Sequence, residues 1–189
     1  NLLEMRLLRL LIKELFTPIK DFYKISEKNE RFKNYIIPFI VGIVYIISVI
    51  CIDASLDFNI LNFGNDFINT TITVITLLIT FNMAYLTILV TGDNDNIKML
   101  KSRVSKRTLG REPVLLYQVM LINISYTTIV EVIFLVFIFS QKFFIYVIEK
   151  KLIHLILAID LVILSHILLM LLQIIVCIYF SFWKIESIS

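Results

Sequence analysis

The chain has 189 residues, of which 59% are hydrophobic, with a mean hydropathy of +0.89 and a formal charge of +3. Soluble domains hold roughly 45–50% apolar residues, so this composition excludes an ordinary water-soluble globule. With only four Gly and three Pro, little chain is left for extended loops, and there is no room for a separate soluble catalytic domain.

Residues 1–34 are basic and leucine-rich. Arg6, Arg9, Lys13, Thr17 and Lys20 recur at steps of three and four, one stripe of a helix, while Leu3, Leu7, Leu10, Leu11 and Leu15 cover most of the remaining circumference. The pattern predicts an N-terminal amphipathic helix that lies on a membrane surface or packs on its neighbours. Pro18 is expected to disturb this helix, and residues 21–34 to form a polar connection. The short apolar stretch at 10–12 has no small-residue cleavage site after it, so no secretory signal peptide is expected.

Residues 35–189 form the membrane domain. Four apolar runs, at about 35–52, 68–90, 114–139 and 152–183, contain no Lys or Arg. Each exceeds the roughly 17 residues needed to cross a hydrocarbon core. In lipid every backbone polar group must be paired internally, so only helices or a closed barrel can span. The runs show no alternation of apolar and polar positions, which excludes a barrel. The predicted fold class is all-α, a polytopic membrane protein with four transmembrane helices plus the N-terminal amphipathic helix.

In the first span, Pro38 and Gly42 predict a kink or a close helix contact. The second span carries Thr73, Thr76, Thr80, Ala84, Thr87 and Thr91 within about 80° of arc, with Asn82 on the opposite face. Small residues and hydroxyls in such a stripe suit a helix–helix seam, within the protomer or between protomers. The sharper alternative is the wall of a hydrated pathway. Residues 91–96 are rich in helix-stopping and capping types. Asp93 and Asp95 begin like a calcium loop, but Ile97 takes the next ligand position and no Gly follows at the required place. Residues 97–107 read as a short basic amphipathic helix inside a basic loop at 91–113.

Glu131 in the third span and Asp160 in the fourth are carboxyls inside the membrane, with no Lys or Arg in any span to neutralise them. They must be protonated, hydrated or hydrogen-bonded. Each is about eight residues from the short connection between the two helices, so antiparallel pairing predicts a similar depth for both. The fourth run, roughly 48 Å as a helix, leaves room for Asp160 to lie nearer the headgroups. His166, Met170, Gln173 and Cys177 form a second polarizable stripe. His154 and His166 are twelve apart, which is not a metal-ligand spacing. No nucleophile–base pair, phosphate-cradling Gly loop or zinc pattern is visible, and neither catalysis nor a cofactor is expected. Cys51 and Cys177 should sit most of a bilayer apart, too far for a disulfide.

Fifteen of the eighteen Lys/Arg residues fall on one side of the four spans, together with both termini, and three on the other. The positive-inside rule places the termini and the 91–113 loop in the cytoplasm. On that side Lys98, Lys101, Arg103, Lys106, Arg107 and Arg111 lie within fourteen residues, flanked by Arg6, Arg9 and Lys13. Met99, Leu100 and Val104 interleave apolar contacts that orientation does not require. Such a surface suits anionic lipid or an acidic face of a cytosolic protein; direct nucleic-acid binding is not expected. The threonine stripe, the His166/Gln173 stripe and two carboxyls are hard to bury within four helices, so a homo-oligomer is expected.

In size and topology over its whole length, the chain resembles the KwaA family, the membrane subunits of the Kiwa anti-phage defence system. The resemblance implies a membrane-embedded oligomer that senses phage attachment or injection and recruits a cytosolic DNA-binding partner. The residues alone leave three readings open: a sensor and scaffold docking a cytosolic effector, an oligomeric ion channel or pore lined by the threonines and carboxyls, and an accessory protein inhibiting another membrane protein.

Overall fold

The computed structural model describes residues 13–53 and 59–183. Arg6, Arg9 and the first leucines of the basic stripe lie outside the described residues. The described chain is all-α apart from one hairpin, and four of its helices are long and apolar enough to cross a membrane. In chain order the elements are α1 (Thr17–Ile25), α2 (Lys28–Asp53), α3 (Ile60–Thr91), α4 (Asp95–Ser102), β1 (Val104–Leu109), β2 (Glu112–Leu115), α5 (Leu116–Phe144) and α6 (Lys150–Trp183).

Two expectations about the connecting segments are corrected. Residues 21–34 are not a polar connection: α1 runs to Ile25 and α2 begins at Lys28. Pro18 does interrupt the N-terminal helix, as expected: helical residues 13–15 give way to a turn at Phe16, and α1 starts anew with Pro18 in its first turn, where its missing N–H has no helical partner to lose. Residues 97–107 are not one helix. The α4 helix stops at Ser102, and β1 and β2 pair antiparallel across Gly110, whose φ of +68° suits a tight turn. The register slips between Val104 and Thr108. There the Ser105 hydroxyl accepts from the Arg107 amide at 2.9 Å, satisfying a donor the irregular ladder leaves open. Val104, Thr108 and Val114 are β-branched, which favours strand over helix.

The capping chemistry at 91–96 does what its residue types predict. Gly92 caps the end of α3, and the Asn94 side chain accepts from the Ile97 amide at 2.9 Å to start α4.

The spans α3, α5 and α6 form the centre of the bundle, and α2 packs mainly against α6. Ile68, Ile75, Phe134, Ile138, Ile153, Leu157 and Ile167 interdigitate between the three central helices. The α2–α6 contact is close at Gly42: a Cβ there would stand 2.5 Å from Val162 Cγ2, so a side chain would push the helices apart. Ile50, Leu77, Val136, Phe143 and Leu172 are exposed on the outside, the apolar girdle a membrane-spanning bundle presents to lipid.

Two satellites complete the end of the bundle where α2 and α5 begin and α3 and α6 end, here the hairpin end. Leu100 of α4 is buried with Leu89, Met120, Ile124 and Ile174. Ile25 of α1 is buried with Val114 and Val119. The helix α1 is therefore packed on the bundle through Phe22 and Ile25.

Candidate functional site

Four polar assemblies stand out, and the first three tie the helices together. Pro38 lies inside α2 and has no N–H, so the carbonyl of Asn34, four residues earlier, loses its helical partner. His166 takes that place, its Nδ1 at 2.9 Å from the Asn34 carbonyl. A carbonyl can only accept, so Nδ1 carries the proton; in the neutral ring Nε2 then accepts from the Tyr126 hydroxyl at 2.9 Å. The Asn34 and Gln173 amides pair reciprocally, and Asn34 Nδ2 lies 3.5 Å from Met170 Sδ. Tyr35 stacks on His166, and Phe22 of α1 stacks on Tyr126 with ring centroids 3.8 Å apart. The Tyr23 and Tyr35 hydroxyls bond to each other. His166 and Gln173 are thus internal ties between α6 and α2.

The two intramembrane carboxyls are fully buried, but they do not meet. Asn82 donates to both Glu131 oxygens, at 2.8 and 3.0 Å, joining α3 to α5. Gln141 donates to Asp160 Oδ1 at 2.9 Å, joining α5 to α6. Since Glu131 and Gln141 are ten residues apart on α5, the two sites differ in depth by roughly 15 Å. The expected depth match fails because α6 carries Asp160 to the level of Gln141, close to the α5–α6 turn. Asp160 is enclosed by protein at that level. One chain buries both carboxyls and His166, so these groups create no need for an oligomer, contrary to the expectation.

Thr73, Thr76, Thr80, Ala84 and Thr87 are all exposed on the outer face of α3. The hydroxyls of Thr73, Thr76, Thr80, Thr87 and Thr91 each donate to the carbonyl four residues back, at 2.8–3.0 Å. The stripe is neither a seam inside the protomer nor the wall of a pathway inside it.

The fourth assembly is the cationic platform of α4 and the hairpin. Lys98, Lys101, Arg103, Lys106 and Arg111 are exposed. Arg107 is different: it is half-buried and forms a 2.8 Å ion pair with Glu30 at the start of α2. That pair pins the hairpin to the bundle, so Arg107 is not a free contact residue. Lys101 lies over the Tyr117 ring at 5.3 Å, and Lys98 makes a looser pair with Asp93 at 3.7 Å. Of the interleaved apolar residues, Leu100 turns into the core, while Met99 and Val104 remain exposed at 39% and 58%. Lys13, in the N-terminal stripe, is exposed as well.

Asn34, Asn82, Tyr126 and Gln141 were not among the residues singled out as polar sites. The available signal was an amide or phenol inside an apolar run. Such a group must find a partner in lipid, and the carboxyls and the histidine are the partners within reach.

Fold and site define a multi-pass α-helical membrane protein with a polar-tied bundle and an anchored cationic helix–hairpin platform. No family model, curated protein or solved structure matches the chain.

Proposed function

We propose that this chain is a non-enzymatic membrane scaffold that docks a cytosolic protein on the platform formed by α4 and the hairpin. The observation that carries the reading is the anchoring of that platform. Ile97, Leu100 and Val114 are buried beneath it and Arg107 is clamped to Glu30, while Arg103, Lys106, Arg111, Met99 and Val104 face outward. A loop needed only for orientation requires charge; it does not require charge held in one geometry with apolar residues between. The basic bias places this face, and both termini, in the cytoplasm. Similarity in size and topology to the KwaA family makes a bacterial inner membrane the setting, and a DNA-binding effector of anti-phage defence the partner.

The channel reading has less support. Both carboxyls are enclosed and amide-bonded within one protomer, and the threonine hydroxyls are spent on their own helix.

The test uses the tagged full-length chain in its native membrane and the combined substitution Lys98→Gln, Arg103→Gln and Arg111→Gln. The variant should insert normally, since twelve basic residues still hold the orientation. It should lose a cytosolic partner that the native chain retains at low salt and releases as salt shortens the Debye length below about 8 Å. If both forms retain the same partner, the loop serves orientation alone. Ion flux through liposomes bearing the native chain would then place the channel first.

A further inference from the structure

At the hairpin end a cleft of about 530 Å³ opens between the start of α2, β1, α5 and α6. Its size falls within the roughly 300–1,000 Å³ of small-molecule sites. The mouth carries Glu27 and Lys106, the wall carries Leu116, Leu172 and Val176, and Asn123 lies deeper. These residues belong to the ends of three spans on one side, so the mouth sits at headgroup level and the wall at the level of the first acyl carbons. Leu116 to Asn123 is seven residues, or about 10 Å of helix depth.

We propose that this cleft binds a phospholipid whose headgroup carries a primary ammonium, the phosphatidylethanolamine class. The charges at the mouth select it. Glu30 and Arg107, also at the mouth, satisfy each other at 2.8 Å. This leaves Lys106 and Glu27, one charge of each sign, both exposed and neither in an ion pair among the described residues. One free cation and one free carboxylate match a zwitterion: phosphate at Lys106, ammonium at Glu27. An anionic headgroup without an ammonium would face Glu27 uncompensated, and a quaternary ammonium has no N–H to donate.

The test is native mass spectrometry of the full chain released from nanodiscs containing equal parts phosphatidylethanolamine, phosphatidylglycerol and phosphatidylcholine. Phosphatidylethanolamine should be retained over the other two. Lys106→Gln should lower its retention about tenfold, the effect of losing one charge-assisted hydrogen bond. Glu27→Gln should abolish the preference over phosphatidylglycerol while leaving total retention measurable. Both positions are exposed, so neither variant endangers folding. Equal retention of the three lipids, a preference for phosphatidylglycerol in the native chain, or no change in either variant overturns the proposal. Displacement of the lipid by soluble phosphoethanolamine at matched concentration also overturns it, because the apolar wall would then contribute nothing.

Discussion

At the scale of single residues, the buried amides decide how this bundle tolerates carboxyls. Asn82 supplies both hydrogen bonds to Glu131. Asn82→Leu strands a buried acid and should destabilise the protein by about 1–3 kcal/mol. Replacing both partners, Asn82→Leu with Glu131→Leu, removes the demand along with the supply and should restore most of that loss. Unfolding in mixed detergent micelles measures both, and a double variant as unstable as the single one would refute the pairing. A second cycle tests the carbonyl freed by Pro38. His166→Phe should cost about 1–2 kcal/mol, since it orphans the Asn34 carbonyl and the Tyr126 hydroxyl. In a Pro38→Ala background the restored amide can serve that carbonyl, so the same substitution should cost less, by roughly 0.5 kcal/mol or more. Additive effects would mean that the histidine does not depend on the proline.

At the scale of elements, the same residue types end in opposite places. The threonines of α3 look outward with their hydroxyls already bonded. A seam on this face would therefore be a close van der Waals contact between small residues and would need no hydrogen bond across it. Thr76→Leu with Thr80→Leu should then reduce the mass of the assembly measured in detergent while leaving the monomer's unfolding within about 0.5 kcal/mol, as expected for exposed positions. An unchanged mass would remove this face as an interface. The stripe on α6 went inward because Asn34 offers both its amide and its proline-freed carbonyl there. Both stripes were legible as periodicities. Which one would be covered was not, because an isolated helix contains no information about what packs on it.

At the scale of the whole molecule, orientation follows from charge distribution rather than from packing. Reporter fusions at Ser189 and within the 54–58 segment should read inside and outside respectively. The opposite pattern would reverse the platform's side and remove its cytosolic partner. The hairpin is the element that the periodicity argument missed. Its strands are short and charged, and the interleaved Met99, Leu100 and Val104 read as a helical face. Val104–Leu109 pairs with Glu112–Leu115, and Glu30 holds Arg107 from another helix. The β-branched Val104, Thr108 and Val114 and the turn at Gly110 were the hairpin's local signals, while the anchoring contact, 77 residues away, leaves no local trace.

The sequence by itself determined the four spans, the absence of a barrel, the caps around residues 91–96 and the helical faces on which polar groups stand. These follow from hydrophobic transfer and backbone hydrogen bonding, which act on a segment wherever it sits. Tertiary structure alone decided that Glu131 pairs with Asn82 and Asp160 with Gln141, that His166 answers the carbonyl Pro38 sets free, and that Arg107 is a strut while Arg103 and Arg111 are exposed. The reason is common to all of them. A polar side chain in an apolar bundle takes the donor or acceptor that helix rotation and depth bring within about 3 Å, and those two quantities are settled only when the helices pack.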